Sequence, residues 1–341
     1  MTPLSSAPRA QSSGTTHDRA LRLHQEPARN PGSPLRADML PRIRVNRSAV
    51  ERRAATIPTR RTVKNEHQAA WLLRAIACID LTTLSGDDTP GTVQRLCAKA
   101  RRPLREDLVR ALGVESLDIK VGGVCVYHAF VPTAVRALEG SGIPVAAVSA
   151  GFPAGLGPLA QRVDEIRASV AAGAREIDIV ITRAHVLLGH WGALYDEVRT
   201  FREACGDAHM KVILATGELA TLSNVARASQ VAMMAGADFI KTSTGKEGTN
   251  ATMPVGLVMA RMIRAYEAET GYAVGLKPAG GIRSAKSALD WLLMIKEELG
   301  DKWLSPSLFR FGASALLSDI ERQLEHHVTG RYSAAYRHPM V

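Results

Sequence analysis

Aromatic residues and cysteines are scarce in this chain of 341 residues. Phe, Trp and Tyr make up 5% of a sequence that is 46% hydrophobic, a balance that favours helices packed on buried parallel strands over an aromatic-rich binding surface. The four cysteines are widely spaced, with no CxxC pair, and are Cys78, Cys97, Cys125 and Cys205. We therefore expect reduced, buried thiols in a cytoplasmic protein.

Long apolar runs and metal-binding patterns are absent as well. No stretch of eighteen apolar residues occurs, so no membrane span is predicted. The start MTPLSSAPRAQSSGTT lacks the apolar core of a secretory signal. No two histidines have the spacing of a zinc site, and only His128 lies near a predicted strand end. We expect neither a catalytic metal nor a cofactor.

The positive charge is concentrated near the N-terminus. The chain has a net charge of +10, and residues 1–65 hold thirteen basic residues against four acidic ones. Their Ser-, Pro-, Arg- and Gly-rich start predicts disorder. We therefore predict a basic, disordered extension (1–65), a catalytic domain (66–328) and a flexible C-terminal tail (329–341). The near-neutral domain argues against a nucleic-acid partner, although a binding role for the extension is the alternative.

Short apolar runs alternate with helical periodicity from about residue 66 onward. Such alternation over about 270 residues predicts a (β/α)₈ TIM barrel. A doubly wound open sheet is the alternative, but no GxGxxG follows the first strand. The predicted strands are 75–84, 123–130, 145–152, 176–182, 211–216, 238–243, 273–279 and 308–312, and clear helices are 158–172, 219–235, 254–269 and 284–299.

Charged side chains interrupt four of these strands near their C-terminal ends, where barrel enzymes build their active sites. Burying an unpaired ion is costly, so these charges need a reason. Period-two geometry places Lys241, Lys277 and Asp178 at the barrel mouth if their faces point inward. Gly275 and Ala279 share the face of Lys277 and leave room beside it.

Two lysines on adjacent strands predict imine chemistry. Each amine disfavours protonation of the other, and a neutral lysine forms imines with carbonyl compounds. Asp178 is suited to the proton transfers. A purely structural Lys241–Asp178 ion pair is the alternative, and the residues alone leave Lys241 and Lys277 nearly tied as the nucleophile.

Glycine-rich turns after strands seven and eight predict a phosphate site. Barrel enzymes grip phosphate there with backbone N–H groups and helix N-termini. The predicted substrate- and phosphate-binding residues are Gly280, Gly281, Arg283, Gly312 and Ser314, together with Thr244, Gly245 and Lys246 after strand six.

Seven segments in order resemble the deoxyribose-phosphate aldolase family, and the tail is similar to its eukaryotic-type branch. The resemblance implies reversible, metal-free aldol cleavage of 2-deoxy-D-ribose 5-phosphate to glyceraldehyde 3-phosphate and acetaldehyde, in deoxyribose catabolism. The segments are IDLTTL (79–84), VCVY (124–127), SAGFPAG (149–155), EIDIVI (176–181), KTSTGKEG (241–248), GLKPAGGIR (275–283) and FRFGAS (309–314).

The resemblance also implies residue roles. Lys241 is the Schiff-base lysine, Lys277 is the neighbouring cation that keeps it unprotonated, and Asp178 is the acid/base partner. The glycines, Arg283 and Ser314 hold the phosphate, and Asp80 and Thr82 line the hydroxyl side. A homodimer or larger homo-oligomer is expected. The alternatives are another class I phosphosugar aldolase or transaldolase, or a non-catalytic sugar-phosphate sensor.

Two positions near the C-terminus remain open. Many relatives carry a second serine where this chain has Ala315, although a backbone N–H at that position still serves a phosphate. A tyrosine near the C-terminus assists proton transfer in some relatives. Tyr336, or less favourably Tyr332, is the candidate for that role here.

Overall fold

The computed structural model describes residues 28–60 and 63–339. Eight parallel strands follow one another around a single sheet, with β8 beside β1. This arrangement confirms the predicted (β/α)₈ barrel. The strands are β1 (Ile79–Thr82), β2 (Gly123–Tyr127), β3 (Val145–Ser149), β4 (Glu176–Val180), β5 (His209–Ile213), β6 (Phe239–Lys241), β7 (Gly275–Lys277) and β8 (Phe311–Ala313).

The barrel closes between β7 and β8. Leu276 forms a parallel bridge with Phe309, and Ala279 forms one with Gly312. A side chain on Gly312 would meet the Cβ of Ala279 at 2.8 Å, so glycine permits this close approach.

Helices cover the outside of the barrel. Several begin at a hydroxyl cap: Thr89, Thr221 and Ser284 each accept a hydrogen bond from a backbone N–H of the first turn. The helices are α1 (Arg47–Arg60), α2 (Asn65–Ala77), α3 (Pro90–Arg101), α4 (Glu106–Ala111), α5 (Val131–Ala137), α6 (Leu159–Ala171), α7 (Arg183–Leu187), α8 (Trp191–Ala204), α9 (Leu222–Met234), α10 (Met253–Thr270), α11 (Ala285–Leu299) and α12 (Ala315–Thr329).

Alternate residues of each strand face opposite sides of the barrel wall. On β1, Ile79 and Leu81 join the apolar core, whereas Asp80 contacts charged side chains from other strands. The main hydrophobic core therefore lies between strands and helices, and charged side chains such as Asp80 face the barrel interior. No helix among the described residues is long and apolar enough to cross a membrane.

The segment before the barrel corrects one expectation. Residues 28–60 are folded, although disorder was predicted through residue 65; positions 1–27 lie outside the described residues. Leu40 is fully buried, and α1 packs on α10 and α11 through Val50, Ala54 and Ile57. Scattered arginines conceal this helix in the sequence, because its apolar face is narrow.

The segment after α12 also packs against the barrel as far as the structure describes it. His338 is buried, and its Nε2 lies 2.5 Å from Oε2 of Glu325 on α12. Tyr332 and Tyr336 remain 89% and 84% exposed. No described contact joins either tyrosine ring to the barrel interior, so this conformation does not place them at the site.

Candidate active site

Seven charged side chains meet inside the barrel, all of them nine-tenths or more buried. They come from five strands and from the residue that precedes β8. Burial of so many charges is costly unless each is paired. The seven residues are Asp80, Glu176, Asp178, Lys211, Lys241, Lys277 and Arg310, and they are called the interior charge network below.

Asp178 on β4 is the centre of this network. Its Oδ2 lies 2.7 Å from the Nζ atoms of both Lys241 and Lys277, and its Oδ1 lies 3.2 Å from Nζ of Lys211. Burial alone would raise the pKa of Asp178, but the three ammonium groups outweigh it and hold the pKa well below the ordinary value. Asp178 is therefore a carboxylate in the resting protein.

The two lysines at the centre have different surroundings. Lys277 also lies 2.5 Å from Oδ2 of Asp80, whereas the only described carboxylate paired with Lys241 is Asp178. Burial would lower the pKa of Lys277, but Asp178 and Asp80 raise it above its ordinary value. The Lys241 side chain is also slightly exposed, at 3%, while that of Lys277 is fully covered. These differences favour Lys241 as the amine that reacts.

Lys211 and Arg310 were missed by the sequence reasoning. Lys211 pairs with Glu176 and Asp178, and the guanidinium of Arg310 pairs with Asp80 and Glu176. The sequence held a signal for Lys211, because this charged residue lies in the apolar run of β5. In the sheet it lies opposite Asp178. Arg310 lies within the predicted strand 308–312 and directly before β8 in the structure, but its partner Asp80 is 230 residues away and no local pattern links the two.

The positive and negative charges of the network are not equal in number. Three carboxylates face four cations, so the fully ionised network carries one excess positive charge. Loss of one lysine proton restores neutrality in a low-dielectric interior, which favours the neutral amine that nucleophilic attack requires.

One expectation about space inside the barrel is wrong. Gly275 was expected to leave room beside Lys277, but a Cβ there would lie 2.3–2.5 Å from three atoms of the Phe239 ring. The glycine makes room for this ring, whose centroid lies 5.9 Å from Nζ of Lys211. Phe239 therefore fills space inside the barrel beside the Lys211 side chain.

The wall formed by β2 and β3 is apolar. Cys125, Ala146 and Val148 form a small buried cluster, and Tyr127 packs edge-on against Phe152 with ring centroids 5.8 Å apart. Burial raises the pKa of Cys125, so this thiol is a packed side chain. The interior thus has a charged side and an apolar side, as a site for a small aldehyde requires.

The turns after β7 and β8 provide an open surface for an anion. Gly281 has a φ of 82°, and a Cβ on it would meet nothing within 4 Å. Arg283 is exposed, and Ser284 caps α11 immediately after it. Ser314 precedes α12 and donates from Oγ to the carbonyl of Thr82 at 2.5 Å. The geometry of this region suits a phosphate group.

Other predicted binding residues have different surroundings. The N–H groups of Thr244 and Gly245 donate to the Glu247 carboxylate at 2.9–3.1 Å, so they are already occupied. Lys246 is exposed and donates to the carbonyl of Leu84 at 2.9 Å. It thereby links the loops that follow β6 and β1.

Strand β1 carries two more of the predicted binding residues. Asp80 is fully buried and pairs with Lys277 and Arg310, so it belongs to the interior charge network. Thr82 is only partly buried, with Oγ1 donating to the carbonyl of Asp80 at 2.7 Å. In the described residues, no group of three or more His, Cys, Asp or Glu is arranged to hold a metal ion.

Known proteins are similar to this chain in sequence and in fold. The model of the DeoC/LacD family of aldolases matches residues 74–320. The deoxyribose-phosphate aldolase of Homo sapiens is 61% identical over 315 residues, 92% of this chain and 99% of the relative. That of Bos taurus is 60% identical over 315 residues, with the same coverage. The solved deoxyribose phosphate aldolase from Aeropyrum pernix, at 22% identity, has the same fold with a TM-score of 0.57, covering 82% of this chain and 99% of that one.

Proposed function

The chain belongs to the DeoC/LacD family of aldolases, and we propose that it is a deoxyribose-phosphate aldolase that works through a Schiff base on Lys241. It is a lyase that cleaves 2-deoxy-D-ribose 5-phosphate reversibly to D-glyceraldehyde 3-phosphate and acetaldehyde. The curated relatives from Homo sapiens and Bos taurus carry the name of this activity. The observation that carries the mechanism is the buried Lys241–Asp178–Lys277 group.

The reaction begins with the neutral amine of Lys241. Its nitrogen attacks the C1 aldehyde carbon of the open-chain sugar and forms a carbinolamine. Asp178, 2.7 Å from Nζ, takes a proton from nitrogen and passes it to the C1 oxygen, which completes the neutral carbinolamine. A second proton, which comes from solvent and is delivered through Asp178, protonates the C1 hydroxyl as it leaves as water. The product is an iminium ion, whose positive charge replaces that of the lysine ammonium group beside Asp178.

Carbon–carbon cleavage then uses the same carboxylate. Asp178 accepts the proton of the C3 hydroxyl, directly or through one water. The electron pair of the C2–C3 bond moves to the iminium and leaves an enamine, while C3 becomes the aldehyde carbon of glyceraldehyde 3-phosphate. Asp178 returns the proton to C2 of the enamine, and water releases acetaldehyde and the free amine. Because its pKa is held low, Asp178 starts the cycle as the base.

The phosphate group of the substrate is held at the turns after β7 and β8. Gly280 and Gly281 present backbone N–H groups, and Arg283 adds a positive charge at the rim. Fixing this end orients C1 toward Lys241, which lowers the entropic part of the barrier. Replacing Arg283 with alanine raises KM more than it lowers kcat, and steady-state kinetics would measure both.

The cellular setting follows from the same assignment. We place the enzyme in the cytoplasm as a homodimer or larger homo-oligomer. Exposed leucines in the segments that follow β3 and β4 support the assembly, because exposed apolar side chains favour association. They are Leu156, Leu159, Leu187 and Leu188. Light scattering on the purified chain would give its assembly state.

The function is tested by measuring cleavage of 2-deoxyribose 5-phosphate through the glyceraldehyde 3-phosphate formed. A panel of other phosphosugars distinguishes this activity from that of a different class I aldolase or a transaldolase. Asp178→Asn is expected to lower kcat about 10²–10⁴-fold, with exposed Asp196→Asn as the control. Absence of cleavage by the folded wild-type chain would favour the sensor alternative.

A further inference from the structure

A cavity lies at the opposite end of the barrel from Lys241. Gly122, Pro144 and Arg175, which line it, each come just before a strand, whereas Lys241 ends β6. Because amino ends of parallel strands meet at one face, this cavity is separate from the open mouth where the sugar is cleaved. Its volume of about 520 Å³ is that of a small-molecule site.

Arginines outnumber carboxylates at the wall of the cavity. Arg136, Arg175 and Arg310 border it, with Glu139 and Glu176 as the acidic residues. The carboxylate of Glu176 is already paired with Arg310 and with Lys211. Three arginines and two glutamates leave one excess positive charge at the cavity wall, which favours a small anion.

The backbone of the cavity wall adds a second feature. Gly140 and Gly142 line the cavity with φ values of 71° and 75°. A Cβ on either glycine would meet nothing within 4 Å. A ligand can therefore approach the main chain closely here.

Arg310 connects this cavity to the reaction site. Its Nη1 pairs with Asp80, its Nη2 lies 3.0 Å from Oε1 of Glu176, and its Nε donates to the carbonyl of Pro306. A guanidinium has five N–H donors, so two of them have no described protein acceptor. An oxyanion in the cavity has a cationic partner at the end of the interior charge network.

Ion pairs then continue from Arg310 to the reacting amine. Asp80 lies 2.5 Å from Lys277, which shares Oδ2 of Asp178 with Lys241. Each step joins opposite charges in a low-dielectric interior, where Coulomb interactions extend further than in water. A negative charge added at Arg310 therefore stabilises the cationic form of the lysines.

We propose that this cavity binds a small oxyanion of the phosphate class, and that the bound charge keeps the network lysines protonated and slows Schiff-base formation by Lys241. The inhibition rests on the proposed function, whereas binding to the cavity does not. Two distinct sites joined by one charge network make the effect allosteric. Inorganic phosphate and glycerol 3-phosphate distinguish a bare ion from a phosphorylated small molecule as the ligand.

The test uses the exchange of acetaldehyde methyl protons in D₂O, followed by proton NMR. Acetaldehyde has no phosphate group, so the probe does not compete with a substrate phosphate. We expect millimolar phosphate or glycerol 3-phosphate to slow exchange by the wild-type protein about threefold or more, because a protonated lysine cannot attack the carbonyl carbon. Arg136→Glu should abolish the inhibition.

Two control variants locate the effect. Arg167→Glu makes the same charge change at an exposed position outside the cavity and should keep the inhibition. Arg283→Ala removes a predicted contact for the substrate phosphate and should also keep it. Inhibition that survives Arg136→Glu, or that disappears in Arg283→Ala, would overturn the proposal.

Calorimetric titration with inorganic phosphate tests the cavity without catalysis. Binding by the wild-type protein that is lost in Arg136→Glu supports the site, and equal binding by both proteins rejects it. If neither the wild-type protein nor any variant exchanges acetaldehyde protons for deuterium, the proposed Schiff-base function is wrong. The titration still decides whether the cavity binds an oxyanion, because it does not depend on catalysis.

Discussion

Lys241 and Lys277 donate to the same carboxylate oxygen, Oδ2 of Asp178, each at 2.7 Å. They differ in their second partners, because Asp80 holds Lys277 but not Lys241. One lysine is thus fixed as a cation within the network. The other has fewer ionic partners, which favours it as the amine that reacts.

Replacement of Lys277 tests this division of roles. Lys277→Met removes a cation that shares Oδ2 of Asp178 with Lys241, so the network loses the excess positive charge that favours a neutral amine and kcat should fall about tenfold or more. The acidic limb of the kcat–pH profile should move to higher pH. Lys277→Arg keeps the charge and should retain a larger share of activity; an unchanged profile in Lys277→Met would contradict the assigned role.

The stability of the protein should fall steeply in acid. Burial would raise the pKa of Asp80, but Arg310, Lys277 and Lys211 outweigh it and lower the pKa from 3.8. A carboxylate with a lowered pKa stabilises the fold above the unfolded value, and this contribution is lost as the pH falls below about 4.

Thermal unfolding between about pH 6 and pH 3 measures this linkage. Asp80→Asn cannot titrate at this position, so its Tm should fall less over the same range than that of the wild-type protein. Exposed Asp196→Asn serves as the control and should behave like the wild type. Parallel Tm curves for Asp80→Asn and the wild type would show that Asp80 is not held ionised.

Gly275→Ala should disturb the interior through Phe239. The added methyl group would lie 2.3–2.5 Å from the ring, and such overpacking costs about 1–3 kcal/mol of unfolding free energy. Displacement of the ring also disturbs Lys211, so kcat should fall. Gly248→Ala, where a Cβ meets nothing within 4 Å, is the control. Equal stability of the two variants in urea would contradict the close contact.

The helix α1 should contribute to the stability of the barrel. Ile57 is 3% exposed and packs in the main core, so Ile57→Ala should cost about 2–4 kcal/mol. Exposed Arg52→Ala on the same helix should change the unfolding free energy little. A loss below about 0.5 kcal/mol for Ile57→Ala would show that the helix is not part of the folded core.

The sequence was sufficient to predict the barrel and the centre of its site. Unbroken apolar runs identify strands buried on both faces, and charges at their C-terminal ends locate Lys241, Lys277 and Asp178. These signals are local, because each depends only on neighbours within one strand.

The remaining features depend on contacts between distant segments. The partnership of Arg310 with Asp80 joins residues 230 positions apart, and the contact of Gly275 with Phe239 requires the register of two strands. The position of Asp80 among cations is visible only in the closed barrel for the same reason. The narrow apolar face of α1 becomes visible only where it meets α10 and α11.

Borohydride trapping tests the central claim most directly. The full chain is incubated with acetaldehyde, reduced, digested and mapped by mass spectrometry. A reduced two-carbon adduct on Lys241 is expected, because this amine has the fewer ionic partners and the slight exposure. An adduct on Lys277 would keep the chemistry but contradict the assigned lysine roles, and no adduct on the folded protein would contradict Schiff-base catalysis.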